Sequence, residues 1–339
     1  MTAYGRLPVV FPPEPDERLS SWIARLAPIY AMTAPEFLSA LRLPGRDIFD
    51  LEWRITEGEG ALVGAQTGLS SEALQAMTFG DRMPDTRMLI ARRYGRRCPA
   101  CASDIRLKTT ALPWVFRCPV HGTDLQDAAG GTLADTLGVE VIATLEAPAK
   151  AGASLLEAWS RGEEHHGFGP VEMLALLTAR HRCASPPSVT EQPRMLLGAR
   201  RHYHEFLTTP ITRQALPVVV PEYDRVAPVL TKPVLPGLHG LARGSLLKSF
   251  ALTVGIGRIA EDPVARAIDV LLASDMGGQE RVRAALSLWP LSLRRRISAR
   301  FWRAERDERD RQVAEMTEKR RQSHKYRRVQ SHRYRFRVS

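Results

Sequence analysis

Two short knuckles constrain this chain more than any other feature. Cys98-Pro99-Ala100-Cys101 is followed by Cys118-Pro119-Val120-His121-Gly122, a C-x2-C-x16-C-x2-H pattern. Two residues between ligands let a tight turn aim both side chains at one centre. Two such turns complete a tetrahedral shell, with sulfur about 2.3 Å and imidazole nitrogen about 2.0 Å from the metal. The expected occupant is one structural Zn2+ held by Cys98, Cys101, Cys118 and His121. Four protein ligands leave no position for water or substrate, so the ion's binding energy becomes local folding energy. Disulfides are the competing reading, but they need an oxidising compartment, and residues 1–15 are proline-rich and unlike a cleavable apolar leader. Chance is the weaker rival: three of only 4 cysteines fall in the pattern, and a proline follows the first cysteine of each knuckle.

At 339 residues the chain is long enough for two or three domains with ordinary cores. No apolar run approaches the ~20 residues that cross a bilayer, so no membrane association is expected and the expected location is the cytoplasm. The net charge of +11 is unevenly placed: residues 291–339 carry 17 Lys and Arg against 6 Asp and Glu, and the first 290 residues balance. Attraction for a phosphate backbone is therefore expected at the C-terminus.

The periodicity predicts a mainly α fold. Asp16 is placed to cap a helix from Glu17, with Leu19, Trp22, Ile23, Leu26 and Ala27 on one apolar face. Thr33-Ala34-Pro35-Glu36 has the form of a capping box opening a second helix. Residues 60–79 read as helix, turn at Gly68, and a second helix capped by Ser70. Such a pair either places a helix in a DNA major groove or simply packs, since Ser71, Glu72 and Gln75 offer no cation. Residues 1–90 form this helical, helix-turn-helix-like region and 91–130 the zinc-binding module, with Ile105, Leu107, Leu112, Trp114, Val115 and Phe116 as a small hairpin or mini-core. Arg92, Arg93, Arg96 and Arg97 lead into the first knuckle, as phosphate ligands or as a solvated loop.

Two signatures in this first part resemble the TniQ/TnsD family of transposon target-selection proteins. One is Pro13-x-x-Asp16-Glu17-x-Leu19-x-Ser21-Trp22-Ile23-x-Arg25-Leu26-Ala27. The other is the pair Cys98-Pro99-x-Cys101 and Cys118-Pro119-x-His121-Gly122-x-x-Leu125, with Thr67-Gly68-Leu69-Ser70 and Met77-Thr78 similar to the family's turn between them. The likeness covers about residues 8 to 127. Lys108-Thr109-Thr110-Ala111 departs from it, standing where relatives carry an aromatic and an arginine. What the resemblance implies is a transposition adaptor that binds target DNA, or an RNA-guided DNA-binding complex, and recruits an AAA+ ATPase that engages the transposase. A homodimer is compatible with it.

Residues 131–209 are expected to be helical, with one helix near Leu155 to Trp159 between flexible turns and another opened by Pro170. His181, Cys183, His202 and His204 match no standard metal spacing. Residues 210–236 read as a proline-rich, extended linker. Residues 237–322 form a C-terminal helical domain, in which Leu293, Ile297, Phe301 and Trp302 make a short stripe before an exposed, charge-alternating helix. The tail, 323–339, interleaves cations with aromatics. Lys325, Tyr326, Arg327, Arg328, Arg333, Tyr334, Arg335, Phe336 and Arg337 are the candidate nucleic-acid contacts, with a solubilising tail as the plain alternative.

The chain has no phosphate-binding G-x-x-x-x-G-K-[ST] loop, no G-x-S-x-G elbow and no H-E-x-x-H pair. No catalytic residue is nominated and no enzyme activity is expected. A zinc-containing helix-turn-helix transcription regulator is the alternative function. A metal-dependent nuclease is a third, requiring scattered acidic residues to meet in space.

Overall fold

The computed structural model describes residues 5–90, 96–101, 105–163, 167–184, 211–226 and 236–335. Over these residues the fold is mainly helical, with one two-stranded antiparallel ribbon. No helix among them is long and apolar enough to cross a membrane.

The first unit packs α1 (Leu19–Leu26), α2 (Ala34–Ala40), α3 (Ile48–Trp53), α4 (Glu57–Thr67) and α5 (Ser71–Ala76). Helix α1 buries Leu19, Trp22, Ile23 and Leu26 against Phe37, Leu38, Leu51, Val63 and Leu74 of the others. Local chemistry sets the ends. Thr33 and Thr56 each form a full capping box, with Glu36 and Glu59, and Ser70 accepts from Ala73 N–H. Gly68 closes α4 at φ +77°, a conformation that favours glycine. Helix α3 was not anticipated. Its six residues are too few to show a period, but Asp47 caps it by accepting from Phe49 and Asp50 N–H. The expected cap at Asp16 is corrected: α1 starts two residues later than expected, after Arg18, with no side-chain cap.

The second unit is built on two long helices. Helix α6 (Leu133–Leu137) leads into α7 (Val139–Ser160), and later α12 (Leu246–Glu261) runs against it, buried on nearly every side. The helices cross at glycines. A Cβ on Gly152 would lie 1.9 Å from the Thr253 carbonyl oxygen, and one on Gly257 would lie 2.0 Å from that of Pro148. Around this crossing lie α8 (Pro170–Leu177), β1 (Arg180–Ala184), β2 (Ile211–Gln214), α9 (Leu216–Val219), α10 (Pro221–Asp224), α11 (Leu238–Ala242), α13 (Pro263–Leu272) and α14 (Met276–Leu286). The strands pair antiparallel, Arg180 with Gln214 and Ala184 with Ile211, through a bulge beside Arg180. Helix α15 (Leu291–Arg335) leaves the body as a single rod.

Three sequence expectations change here. The helix expected only near Leu155 spans 22 residues, and Pro148, expected in a flexible stretch, lies inside it. In the segment read as a linker, residues 211–226 pack into the core instead: Ala215, Leu216, Val219 and Val220 are buried, and Pro217 and Pro221 occupy first helical turns, where a missing N–H costs nothing. The tail expected to begin at 323 continues α15 as helix to Arg335.

Candidate metal centre

Each knuckle is shaped by its own backbone. In the first, Ala100 N–H donates to Cys98 Sγ at 3.4 Å. In the second, Gly122 N–H donates to the Cys118 carbonyl at 2.9 Å with φ +65° at the glycine, and Cys118 N–H donates to the Thr123 carbonyl at 2.8 Å. Arg97 and Gln126 exchange both backbone hydrogen bonds, at 3.0 and 2.8 Å, which holds the two knuckles together. Leu107 and Leu125, with Ile105 and Val115 against them, form a small apolar floor beside the cysteines. Leu112 and Trp114, expected in that mini-core, instead reach the large core of the second unit.

The four expected ligand atoms converge, all within 4.8 Å of one another. His121 Nδ1 is 3.6 Å from Cys98 Sγ, 3.4 Å from Cys101 Sγ and 3.6 Å from Cys118 Sγ, and the last two sulfurs are 3.7 Å apart. A tetrahedral zinc with ordinary bond lengths requires edges of about 3.8 Å between sulfurs and about 3.6 Å from sulfur to nitrogen. The cluster fits one such ion. Its electrostatics agree. Burial opposes ionisation of Cys98, yet hydrogen bonds from Thr123 and the Ala100 and Cys101 amides outweigh it and hold that thiol down at about 6. Burial and the neighbouring sulfurs push Cys101 up to about 12. The Cys98 thiolate forms readily and Cys101 beside it then resists, a conflict that a divalent cation between them removes.

The centre is tied directly to α1. Residues 16–18 lie antiparallel to 106–108: Lys108 N–H donates to the Asp16 carbonyl at 2.6 Å, and Arg18 N–H to the Arg106 carbonyl at 2.9 Å. The Asp16 carboxylate accepts from Thr109 N–H at 3.1 Å and from its hydroxyl. Glu17 is only 1% exposed and works as a hub. It accepts from Ser21 Oγ at 2.9 Å, from Arg25 at 2.8 and 2.6 Å, and from Glu14 N–H at 3.0 Å. Ser21 Oγ in turn accepts from Arg106 N–H at 2.9 Å, and Arg25 stacks on Phe11 at 4.4 Å. Arg18 pairs with the buried Glu52 of α3. Lys108 Nζ donates to the Ala76 and Thr78 carbonyls at 3.0 and 3.1 Å, a cation at the C-terminal end of α5.

A second set of bonds fixes the centre to the second unit. Glu157 of α7 accepts from Arg82 at 2.8 and 2.9 Å and from Trp114 Nε1 at 3.1 Å. Phe116 meets Phe250 of α12 edge-on at 5.0 Å and carries Arg96 on its face at 4.6 Å.

Fold and site together define a mainly helical protein whose first third brings Cys98, Cys101, Cys118 and His121 close enough to hold one metal ion. Residues 8–125 match the TniQ family model, so this part of the chain is a TniQ domain. The domain associates the chain in general terms with transposition and the selection of its target. No curated protein and no solved structure matches the chain.

The other nominated residues fare differently. Lys325, Tyr326, Arg327, Arg328, Arg333, Tyr334 and Arg335 lie on the last turns of α15. Their side chains, and Phe336 and Arg337 altogether, are outside the described residues. So are Arg92, Arg93, His202, His204 and the side chain of Cys183, while His181 is buried. Sequence reasoning missed the Glu17 hub. Part of the signal was present, because Glu17, Ser21 and Arg25 stand at four-residue steps, although Glu17 itself precedes α1 and reaches Ser21 and Arg25 from the segment before the helix.

Proposed function

We propose that the chain is a target-selection adaptor of transposition: it engages target DNA, or a guide complex already on that DNA, and recruits an AAA+ ATPase without catalysing chemistry itself. One structural zinc ion on Cys98, Cys101, Cys118 and His121 supplies folding energy to the adaptor's first third, and the setting is the cytoplasm. The observation that carries this reading is the stitching of 16–18 to 106–108, which makes one rigid docking body of the two sequence signatures. The α4–α5 pair favours it over a helix-turn-helix regulator. Helix α5 exposes Ser71, Glu72, Gln75 and Ala76 and carries no cation of its own, and Lys108 beside it is spent on the helix's C-terminal end.

The test is co-purification of the full chain with an AAA+ ATPase of a transposon from the same genome, with and without ATP and target DNA, followed by size-exclusion chromatography. Comigration is expected. Tight binding to a promoter sequence, with no association to the ATPase in any condition, would overturn the adaptor reading in favour of a transcription regulator.

A further inference from the structure

We propose that the first three turns of α15 form a nucleic-acid contact, with Arg295, Arg296, Arg300 and Arg303 on the phosphates of a DNA strand and Trp302 against an exposed base. This deepens the proposed function and rests on its premise that the chain touches DNA. Between Arg281 and Ala304 the sequence holds seven arginines and no aspartate or glutamate. The arginines packed most deeply into the body pair with carboxylates, Arg18 with Glu52, Arg25 with Glu17, Arg82 with Glu157 and Arg258 with Glu222. The four on α15 do not. Among the described residues, no carboxylate lies within ion-pair distance of Arg295, Arg296, Arg300 or Arg303.

Helical geometry sorts these residues. Ile297 and Phe301 are buried, so that face of α15 is fixed to the body. Arg296, Arg300 and Arg303 follow one another at steps of four and three along one exposed flank, and Arg295 and Trp302, seven apart, share the face beside it. Trp302 is 62% exposed, flanked by cations, while its neighbour Phe301 is covered by Arg283 at 5.6 Å. The four arginines cover a rise of about 12 Å, which matches about three to four phosphate steps of a DNA strand at about 3.4 Å each. Guanidinium forks suit phosphate oxygens, pairing with two at once. An indole that touches Phe301 edge-on yet stays largely exposed among them offers a stacking platform to any unpaired base. The proposed surface is separate from the last turns of the same helix.

The test is fluorescence anisotropy of the full chain with a labelled DNA duplex and with its single strand, over a salt series. Replacing all four arginines (R295Q, R296Q, R300Q, R303Q) removes exposed side chains, so an unchanged thermal melt is expected. Affinity is expected to fall more than tenfold at low salt, with a salt slope shallower by about three to four units. Should that variant fold poorly, R296Q/R300Q carries the same test with about half the slope change. W302A is expected to weaken the single strand about fivefold or more and leave the duplex unchanged. A folded quadruple variant with wild-type affinity and slope overturns the inference. So does loss of all binding on neutralising only Lys325, Arg327, Arg328 and Arg333. Failure of the wild-type chain to bind either DNA at low salt removes the premise as well, and is thereby distinguishable.

Discussion

Replacing Gly152 with alanine tests the crossing on which the second unit depends. The new Cβ would stand 1.9 Å from the Thr253 carbonyl oxygen, 2.9 Å from its carbon and 3.1 Å from Gly257 N. An ordinary carbon–oxygen contact is above 3 Å, so α7 and α12 must part by over 1 Å, and the obstructing atoms are backbone that cannot rotate away. A gap of 0.5–1 Å already forfeits about a quarter to a half of each contact's attraction. Here it would open between helices that bury Leu145, Leu156, Val254 and Ile256. Overpacking of this kind costs about 1–3 kcal/mol and sometimes more. Opposing it is the gain of roughly 1 kcal/mol for removing glycine from a helix interior. The clash wins, because the propensity gain concerns one residue and the separation concerns the whole seam. Chemical unfolding followed by circular dichroism should show G152A with a lower midpoint, and G152A/G257A falling short of the sum of the two singles, since either one separates the helices. Gly58 of α4 is the control, with nothing within 4 Å of its would-be Cβ. If G152A stabilised the protein as G58A is expected to, the close crossing would be refuted.

The purified protein is expected to carry about one equivalent of zinc by elemental analysis, and chelation or C118S to lower its melting temperature; metal well below one equivalent with intact thiols would remove the zinc reading. Substituting Glu17 with alanine removes the carboxylate that Arg25 and Ser21 hold and should cost about 3 kcal/mol in denaturant titrations, the lower end of the range for breaking a buried pair, because Arg25 keeps its stack on Phe11. A loss under about 1 kcal/mol would mean that Glu17 is no hub. Burial pushes the Glu157 carboxyl up, but Arg82, Trp114 and Arg161 together hold it below its ordinary 4.5. Its stabilisation is therefore complete above that value and lost as pH falls through the folded one, so E157Q should flatten part of the acid limb of a plot of melting temperature against pH.

What was legible in the sequence was chiefly what is local in the chain. Thr33 and Ser70 cap within three residues, Gly68 turns where it stands, and the knuckles carry their own geometry. What was missed depends on partners far away. Asp16 has the composition of a cap, but its carboxylate is taken by Thr109, 93 residues on. Gly152 and Pro148 look like helix breakers. In the fold Gly152 is the point of closest approach to α12, and Pro148 stays within a helix that tertiary packing supports. The prolines after 210 read as extended chain, yet Pro217 and Pro221 open short helices whose Leu216 and Val219 complete the core.

The same long-range pairing accounts for two signatures, at residues 13–27 and 98–125, forming one unit. Residues 16–18 belong to no strand and 106–108 to none, so each segment's backbone groups are satisfied by the other. The insert that carries 106–108 is held by the knuckles at Cys98–Cys101 and Cys118–His121. A metal that closes those knuckles thereby fixes the partner of Asp16 and Arg18, and through Arg106 and Ser21 the setting of Glu17. Loss of the ion should accordingly loosen amide protection at Arg18 and Lys108 before it reaches Leu252 or Val254 at the helix crossing. Protection lost at all four together would mean that the centre is coupled to the whole fold through Trp114 and Glu157, and not mainly to α1.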